Sequence, residues 1–523
     1  MHSPAHSHID KHKPHRLPAL AGESSPLAQA FARLALEHGQ RPAVHFRDPA
    51  KDLQYGFAKL WRRVDRVTGH LQRLGLQRGD RLAWLGLNHE LMLVALVACA
   101  RLGATLLPLN VRLAVPELQR VLSDAAPLLL VHDAAHADAA QALMPGAHQR
   151  CWVDSLIATE SPPLAPLPAV DGESPLLLVY TSGTTGLPKG AVHTQAGVLA
   201  NARASAWAHG FAPGDKVLSV LPLFHVGGLC IQTLPALLAG VPVVLQPRFD
   251  PAAWLADVQA LRPTLSLLVP ATLRAVFEHP AWAGADLASL RGVFTGSSTV
   301  PLSYLQAFHR RGVPVGQVYG STETGPVSIV LGLRDAIARE GAAGWPAPEC
   351  QVKLIDAQGQ PVPTGHTGEI CVKAPNVMRG YWPGAGAEPA TTGLGLHGGW
   401  FHTGDLGVCG ADGCITVVGR AKDMIISGGE NIYPAEIENL LADLPGVLEC
   451  AVVGLPDERW GEVPVAALVP ARGASLSEAS VLAHLSGRIA KFKLPRRVVL
   501  LDALPKSALG KVVKGEVVRV LAA

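Results

Sequence analysis

The sequence predicts an α/β protein with a large N-terminal domain of parallel or mixed sheets covered by helices, a β-rich subdomain, and a small α+β domain at the C-terminal end. Three observations carry this expectation. Apolar runs of strand length alternate with helical patterns through the first part of the chain, the rhythm of sheets covered by crossover helices. From about residue 345 the pattern changes to short β-like runs such as QVKLID and GEICVKA, separated by Gly and Pro. After Arg420 a compact stretch mixes both element types, with the strand LECAVVG and a helix around 476–489. With 523 residues, 48% of them hydrophobic, the chain can build more than one core. The expected division is a tail over 1–20, a first domain over 21–420 and a second over 421–523.

The elements follow in order. The first twenty residues are polar, carry five histidines (His2, His6, His8, His12, His15) and lack the apolar core of a secretory leader, so they read as a disordered tail. From Phe57, apolar residues recur at Leu60, Val64, Val67, Leu71 and Leu74, which predicts an amphipathic helix that Gly75 ends. The run LMLVALVACA (91–100) is stopped by Arg101, well short of the ~20 residues a membrane helix needs, and reads as a buried helix. Around it lie apolar runs at 82–87 and 104–109, then the helical pattern ELQRVLSDA and the run LLLVH. A Pro-rich stretch over 161–175 leads to the strand LLLVY, and the alternation resumes through KVLSVLPL, VPVVLQP, TLSLLVP, LRGVFTG and VPVGQVYG. The net charge of +3 is too balanced to argue for nucleic acid. Eight cysteines without a CxxC pair read as reduced thiols in a cytoplasmic enzyme.

The chemistry concentrates in turn-like segments. YTSGTTGLPKG (180–190) places small hydroxyl residues, glycines and a lysine directly after a strand. Glycine lets backbone N–H groups approach phosphate oxygens, while Thr181, Ser182, Thr184, Thr185 and Lys189 add donors and a positive charge. The segment is not a Walker loop, because Pro188 precedes the lysine and a residue before proline is pushed away from helix. Four further segments repeat the theme at loop-like positions: LPLFHVGG (221–228), QVYGSTETG (317–325), WFHTGDLG (400–407) and GRAKDMIISGGENIYPAEIE (419–438). PKSALGK (505–511) closes the series.

Together and in this order, over roughly Leu53 to Lys511, these segments resemble the adenylate-forming superfamily of acyl-CoA synthetases, aryl-CoA ligases, firefly luciferase and peptide-synthetase adenylation domains. GRAKDMIISGGENIYPAEIE and PKSALGK look most like the acyl-CoA synthetases. The resemblance implies ATP, Mg2+ and coenzyme A as cofactors and co-substrates. It assigns the segment of Thr181, Ser182, Gly183, Thr184, Thr185, Gly186 and Lys189 to the β- and γ-phosphates, with Thr181 also toward the metal. Tyr319 falls against adenine, Thr322 on the α-phosphate and Glu323 on magnesium, a hard cation that wants oxygen ligands, and Gly320 counts among the cofactor-binding residues. Asp405 and Arg420 match the ribose contacts, and Ser297 lies in the nucleotide- and acid-facing segment TGSSTV. Lys511 matches the cation that bridges carboxylate and α-phosphate, and His225 the residue that gates the acyl pocket. Lys422 falls at the family's hinge, about which a mobile C-terminal domain would turn from a face carrying Lys511 to one carrying Gly428 and Gly429, where the pantetheine passes.

The implied activity is an ATP-dependent acid:CoA ligase that makes AMP and pyrophosphate. HVGGLCIQTL (225–234) and TGSSTV (295–300) offer no arginine or lysine for a second carboxylate, which favours a monocarboxylic acid. Medium- or long-chain fatty acids come first on this reading, with cinnamate-like or succinylbenzoate-like aromatic acids close behind. A carrier-protein loading enzyme and a noncatalytic nucleotide binder are the rivals, and the presence of Lys511 and Glu323 argues against the second. A peripheral membrane contact and a homodimer are left open.

Overall fold

A computed structural model describes residues 23–49, 51–146, 150–158, 164–182, 188–296, 300–384, 396–427, 430–507 and 510–522. Among these residues the strands form four sheets of nine, seven, five and five strands. The nine-stranded sheet has a parallel centre, with Val217–Ser219, Val243–Leu245, Leu265–Leu268, Gly292–Gly296 and Val315–Tyr319 in register. Antiparallel strands extend its two edges, Lys51–Gly56 on one side and Ile329–Leu331 on the other. In the seven-stranded sheet Arg81–Leu85, Thr105–Pro108, Leu129–His132 and Arg150–Trp152 are likewise parallel.

The helix Glu90–Leu102, the buried helix expected from the sequence, is buried at every residue. Its side chains share one hydrophobic cluster with Leu82, Leu106 and Leu129 of the seven-stranded sheet and with Val44, Val243 and Leu265 of the nine-stranded sheet. A helix apolar all round is what a position between two sheets requires. Glu90 at its first turn is fully buried, accepts from Tyr55 Oη at 2.6 Å and pairs with Arg63. The amphipathic helix expected from Phe57 runs Phe57–Arg73 and buries Leu60, Val64, Val67 and Leu71 on one face.

The third sheet, Gln351–Ile355, Thr367–Lys373, Leu396–His397, Trp400–Cys409 and Ile415–Arg420, is antiparallel and forms the β-rich region. The fourth carries the long hairpin Val447–Asp457 and Gly461–Pro470. Its side chains alternate between two cores. Val452, Ala466 and Leu468 face Ile437, Leu441, Val481 and Leu485, while Val453, Val465 and Ala467 face Val517 and Leu521. The helix expected over 476–489 is shorter, Glu478–Leu485: Ser477 caps its start and Ser486 leaves the helical region at φ −61°, ψ 133°. Among the described residues, no helix is long and apolar enough to cross a membrane.

Three of the turn-like motifs sit partly on strands. Pro175–Ser182 and Pro188–Thr194 form an antiparallel pair in which Thr181 faces Lys189, so both lie on hairpin arms. Asp405 lies within Trp400–Cys409 and Arg420 ends Ile415–Arg420. Gly and Thr density suggested loops, yet the antiparallel ladder satisfies the backbone polar groups of these segments and holds them extended.

Candidate active site

Glu323 lies in the turn that follows Val315–Tyr319. A Cβ added at Gly320 would meet the Pro326 carbonyl oxygen at 2.1 Å, so only glycine lets the turn fold this tightly. Asn376 Nδ2 donates to the carbonyls of Thr324 (2.9 Å), Gly325 (3.2 Å) and Val327 (3.2 Å), pinning the turn from a distant loop. Tyr381 Oη donates to Glu323 Oε1 at 2.9 Å, and Lys189 Nζ lies 5.5 Å from the Tyr381 ring centroid. The short strand Gly380–Tyr381 adds to Pro188–Thr194 at the edge of the seven-stranded sheet, which brings Glu323 and Lys189 to one place. Burial, followed by the charge of Glu323, pushes the Tyr381 phenol up.

Asp405 and Arg420 are direct cross-strand partners, with Arg420 Nε 2.9 Å from Asp405 Oδ1. Tyr319 Oη donates to Asp405 Oδ2 at 2.9 Å, tying the third sheet to the end of the nine-stranded one. Burial raises the Asp405 pKa, and it outweighs Arg420, Tyr319 and Lys511, which favour the ionised form. Burial first and Asp405 second raise that of Tyr319. The turn before Asp405 is braced by Glu369, which accepts from Gly404 N at 3.0 Å and contacts His402 Nδ1 at 3.3 Å.

Lys511 sits on a small hairpin closed by the bridge between Lys506 and Val512 and by Ser507 N donating to Lys511 O at 2.8 Å. The Lys506 ammonium pairs with Glu449. Lys511 is open to water yet has protein on most sides, as a cation in an open cleft must. Desolvation lowers its pKa, aided by Arg420 and opposed by Asp405 and Glu323. His225 lies just before the turn of helix Gly227–Thr233, where Gly228 packs against the Pro222 carbonyl so closely that a Cβ would stand 2.2 Å from its oxygen. Burial, then Lys511, then Arg112 hold the His225 imidazole to about 4, so it is neutral at physiological pH. Lys511 therefore lies within electrostatic reach of Asp405, Arg420, Glu323 and His225, and the cleft gathers around it.

Thr322 lies in the Glu323 turn. Lys422 is exposed, in the single turn Ala421–Asp423 that joins the third sheet to the fourth. Gly183, Thr184, Thr185, Gly186, Ser297, Gly428, Gly429 and the histidine-rich tail lie outside the described residues, and Ser182 is described by its backbone alone. Tyr381, Asn376 and Glu369 were not found by sequence reasoning. Each acts through partners far along the chain, and only the YW that follows Arg379-Gly380 gave a local signal for Tyr381.

The cleft joins hydroxyl and cationic groups on the hairpin, a carboxylate at Glu323, the Asp405–Arg420 pair with its guanidinium half exposed, and a lysine from the last lobe. That donor set suits a nucleoside triphosphate with its hard cation beside a carboxylate. Comparison with known proteins agrees. Residues 31–382 match the family model of the AMP-binding enzymes, and residues 436–511 that of the AMP-binding enzyme C-terminal domain. The chain is 45% identical to an indoleacetate–CoA ligase of Aromatoleum aromaticum, over 93% of this chain and 96% of that protein. It is 43% identical to a feruloyl-CoA synthase of an Amycolatopsis species, over 88% and 93%. The solved o-succinylbenzoate coenzyme A synthetase of Bacillus subtilis, in complex with ATP and magnesium ion, superposes with a TM-score of 0.82 at 31% identity, covering 93% of this chain and 98% of that one. The chain belongs to the AMP-binding enzyme family. It is an AMP-forming acid:CoA ligase that works through an acyl-adenylate with ATP, magnesium and CoA.

Proposed function

We propose that the acid is an aryl carboxylic acid, activated by residues of the cleft in the roles the sequence suggested. The observation that carries this reading is the likeness, at 45% and 43% identity, to two ligases named for ring-bearing acids, which reverses the order expected from the sequence. The carrier-protein alternative loses weight to free CoA for the same reason.

In the first half-reaction a carboxylate oxygen attacks the α-phosphorus and pyrophosphate leaves. Lys511 would neutralise charge that builds between carboxylate and phosphate, and Thr322 would donate to the α-phosphate. Asp405 and Arg420 would hold the ribose, with Tyr319 packed toward the base. The hairpin of Thr181 and Lys189 would take the β- and γ-phosphates. Glu323, braced by Tyr381, offers a hard oxygen ligand, and magnesium bound there would neutralise phosphate charge. In the second half-reaction the C-terminal lobe would turn at Lys422 and the thiol of CoA would displace AMP. Eight unpaired thiols agree with a cytoplasmic setting. The test is pyrophosphate release over a panel of aryl, medium-chain and long-chain acids, with and without CoA. Higher kcat/KM on aryl acids is expected, and a clear preference for long-chain acids would overturn the reading.

A further inference from the structure

The β-rich sheet holds a cluster of metal-type donors that no step of the reaction uses. Glu369 and Cys371 lie two positions apart on Thr367–Lys373 and so share one face of the sheet. Cys371 is paired directly with His402 on Trp400–Cys409. Between Glu369 and Cys371 the register slips, so that Thr403, Gly404 and Asp405 all stand opposite Ile370, with Gly404 in the left-handed region at φ 68°. This bulge turns the Gly404 amide onto Glu369 Oε1 at 3.0 Å, while Glu369 Oε2 lies 3.3 Å from His402 Nδ1. One ligand atom from each of Glu369, Cys371 and His402 lies within 4.8 Å of the other two. Cys371 is fully buried, and the other two side chains are partly buried.

The donor set is selective. Magnesium wants oxygen ligands, whereas a carboxylate, a thiolate and an imidazole together suit zinc. Bonds of about 2.0 Å to N or O and 2.3 Å to S place tetrahedral ligand atoms roughly 3.3–3.6 Å apart, so the three donors need close by no more than about 1.5 Å, which side-chain torsions supply. A thiolate and a carboxylate cancel the two charges of the ion. His397, paired with Trp400 on the neighbouring strand, packs T-shaped against His402 with ring centroids 5.0 Å apart. Two imidazoles on one tetrahedral zinc have centroids about 5 Å apart, so His397 stands beside the fourth position. Lys353, opposite Cys371, holds its ammonium 4.5 Å from the centroid of the Trp400 ring, whose face takes up part of its charge.

We propose that Glu369, Cys371 and His402 form a binding site for a zinc-class divalent cation, which clasps the two strands on either side of the bulge that carries Asp405. Burial keeps the Cys371 thiol protonated in the free protein. Binding forms a metal–sulfur bond, and that proton leaves to solvent. Glu369 binds through Oε2 while Oε1 stays on the Gly404 amide, so one carboxylate links the ion to the turn. Because the ligands come from both strands, the site exists only in the folded chain, and the ion stabilises that state by mass action.

The experiment uses the full-length enzyme, stripped with a chelator and titrated with Co2+, a zinc surrogate whose thiolate complexes give a sulfur-to-metal charge-transfer band in the near ultraviolet. A saturable band is expected in the wild type, and Zn2+ should bleach it. The histidine-rich tail has no cysteine, so cobalt held there gives no such band. Cys371→Ser should abolish the band, whereas Cys409→Ser, at the far end of Trp400–Cys409, should leave it. Glu369→Gln and His402→Gln should each weaken Zn2+ by at least about tenfold, read by competition with the cobalt band. Saturating Zn2+ should raise the thermal midpoint of the wild type and leave that of Cys371→Ser where it was. Absence of the band in the wild type, or its survival in Cys371→Ser, overturns the proposal. Equal zinc affinity in His402→Gln and the wild type overturns it too. Should Cys371→Ser fail to fold, His402→Gln, at a partly exposed position, decides through affinity alone.

Discussion

Lys511→Ala isolates the electrostatic demand of the first half-reaction. In the cleft Lys511 and Arg420 face Asp405 and Glu323, two cations against two carboxylates, before substrate charge enters. Removing Lys511 leaves Arg420 and, on the hairpin, Lys189 to balance Asp405 and Glu323, with no cation in excess to receive a triphosphate and a second anion, the carboxylate that must approach it. Loss of one preorganised contact of this kind typically slows a step by ~10²- to 10³-fold. The fold should not suffer. Lys511 is solvent-accessible on a hairpin held by backbone bonds and by the pairing of Lys506 with Glu449, and a surface change of that sort stays within about 0.5 kcal/mol. The assay separates the halves: acid-dependent pyrophosphate release for adenylation, and thioester yield from supplied acyl-AMP and CoA. Adenylation is expected to collapse while thioester formation persists. Equal loss in both would refute a charge-specific role, and undiminished pyrophosphate release would remove Lys511 from the chemistry.

Lys422→Pro should trap one arrangement of the lobes, because proline fixes φ near −65° in the exposed turn Ala421–Asp423; acyl-AMP should accumulate after ATP and acid are mixed, and its normal consumption on adding CoA would move the hinge elsewhere. The Arg274 guanidinium donates to the Leu448 carbonyl, joining the helix Pro270–Phe277 to the strand Val447–Asp457 of the last lobe. Arg274→Ala should therefore slow adenylation by about fivefold while sparing thioester formation, and equal slowing of both half-reactions, measured separately, would refute a state-specific contact. His209 is fully buried against Phe294, and burial holds it to about 4. With a folded value below the unfolded ~6.5, its contribution is intact above pH 6.5 and is lost as pH falls toward 4, amounting to about 2 kcal/mol by pH 5. The drop in urea midpoint between pH 7.5 and 5 should shrink in His209→Gln, and an unchanged drop would clear His209 of the effect.

The alternation of strands and helices was legible because side chains repeat every two or 3.6 residues, a signal that needs no partner. The wholly apolar 91–100 and the amphipathic Phe57–Arg73 could be told apart on that basis alone. Chemistry was legible in another way, through residue types crowded into short motifs. What neither signal contains is pairing. Lys189 reads as a loop residue from its Gly- and Thr-rich surroundings, yet it is a strand residue because Thr181 lies opposite, and it is brought toward Glu323 by Tyr381, which joins the same edge from almost two hundred positions further along the chain. Asp405 and Arg420 are fifteen positions apart and become neighbours through the register of one hairpin, while Tyr319 reaches them from another sheet. Residues that bind through their own chemistry can thus be found along the chain, whereas the partners that hold them in place come from distant segments and are decided only when the sheets meet.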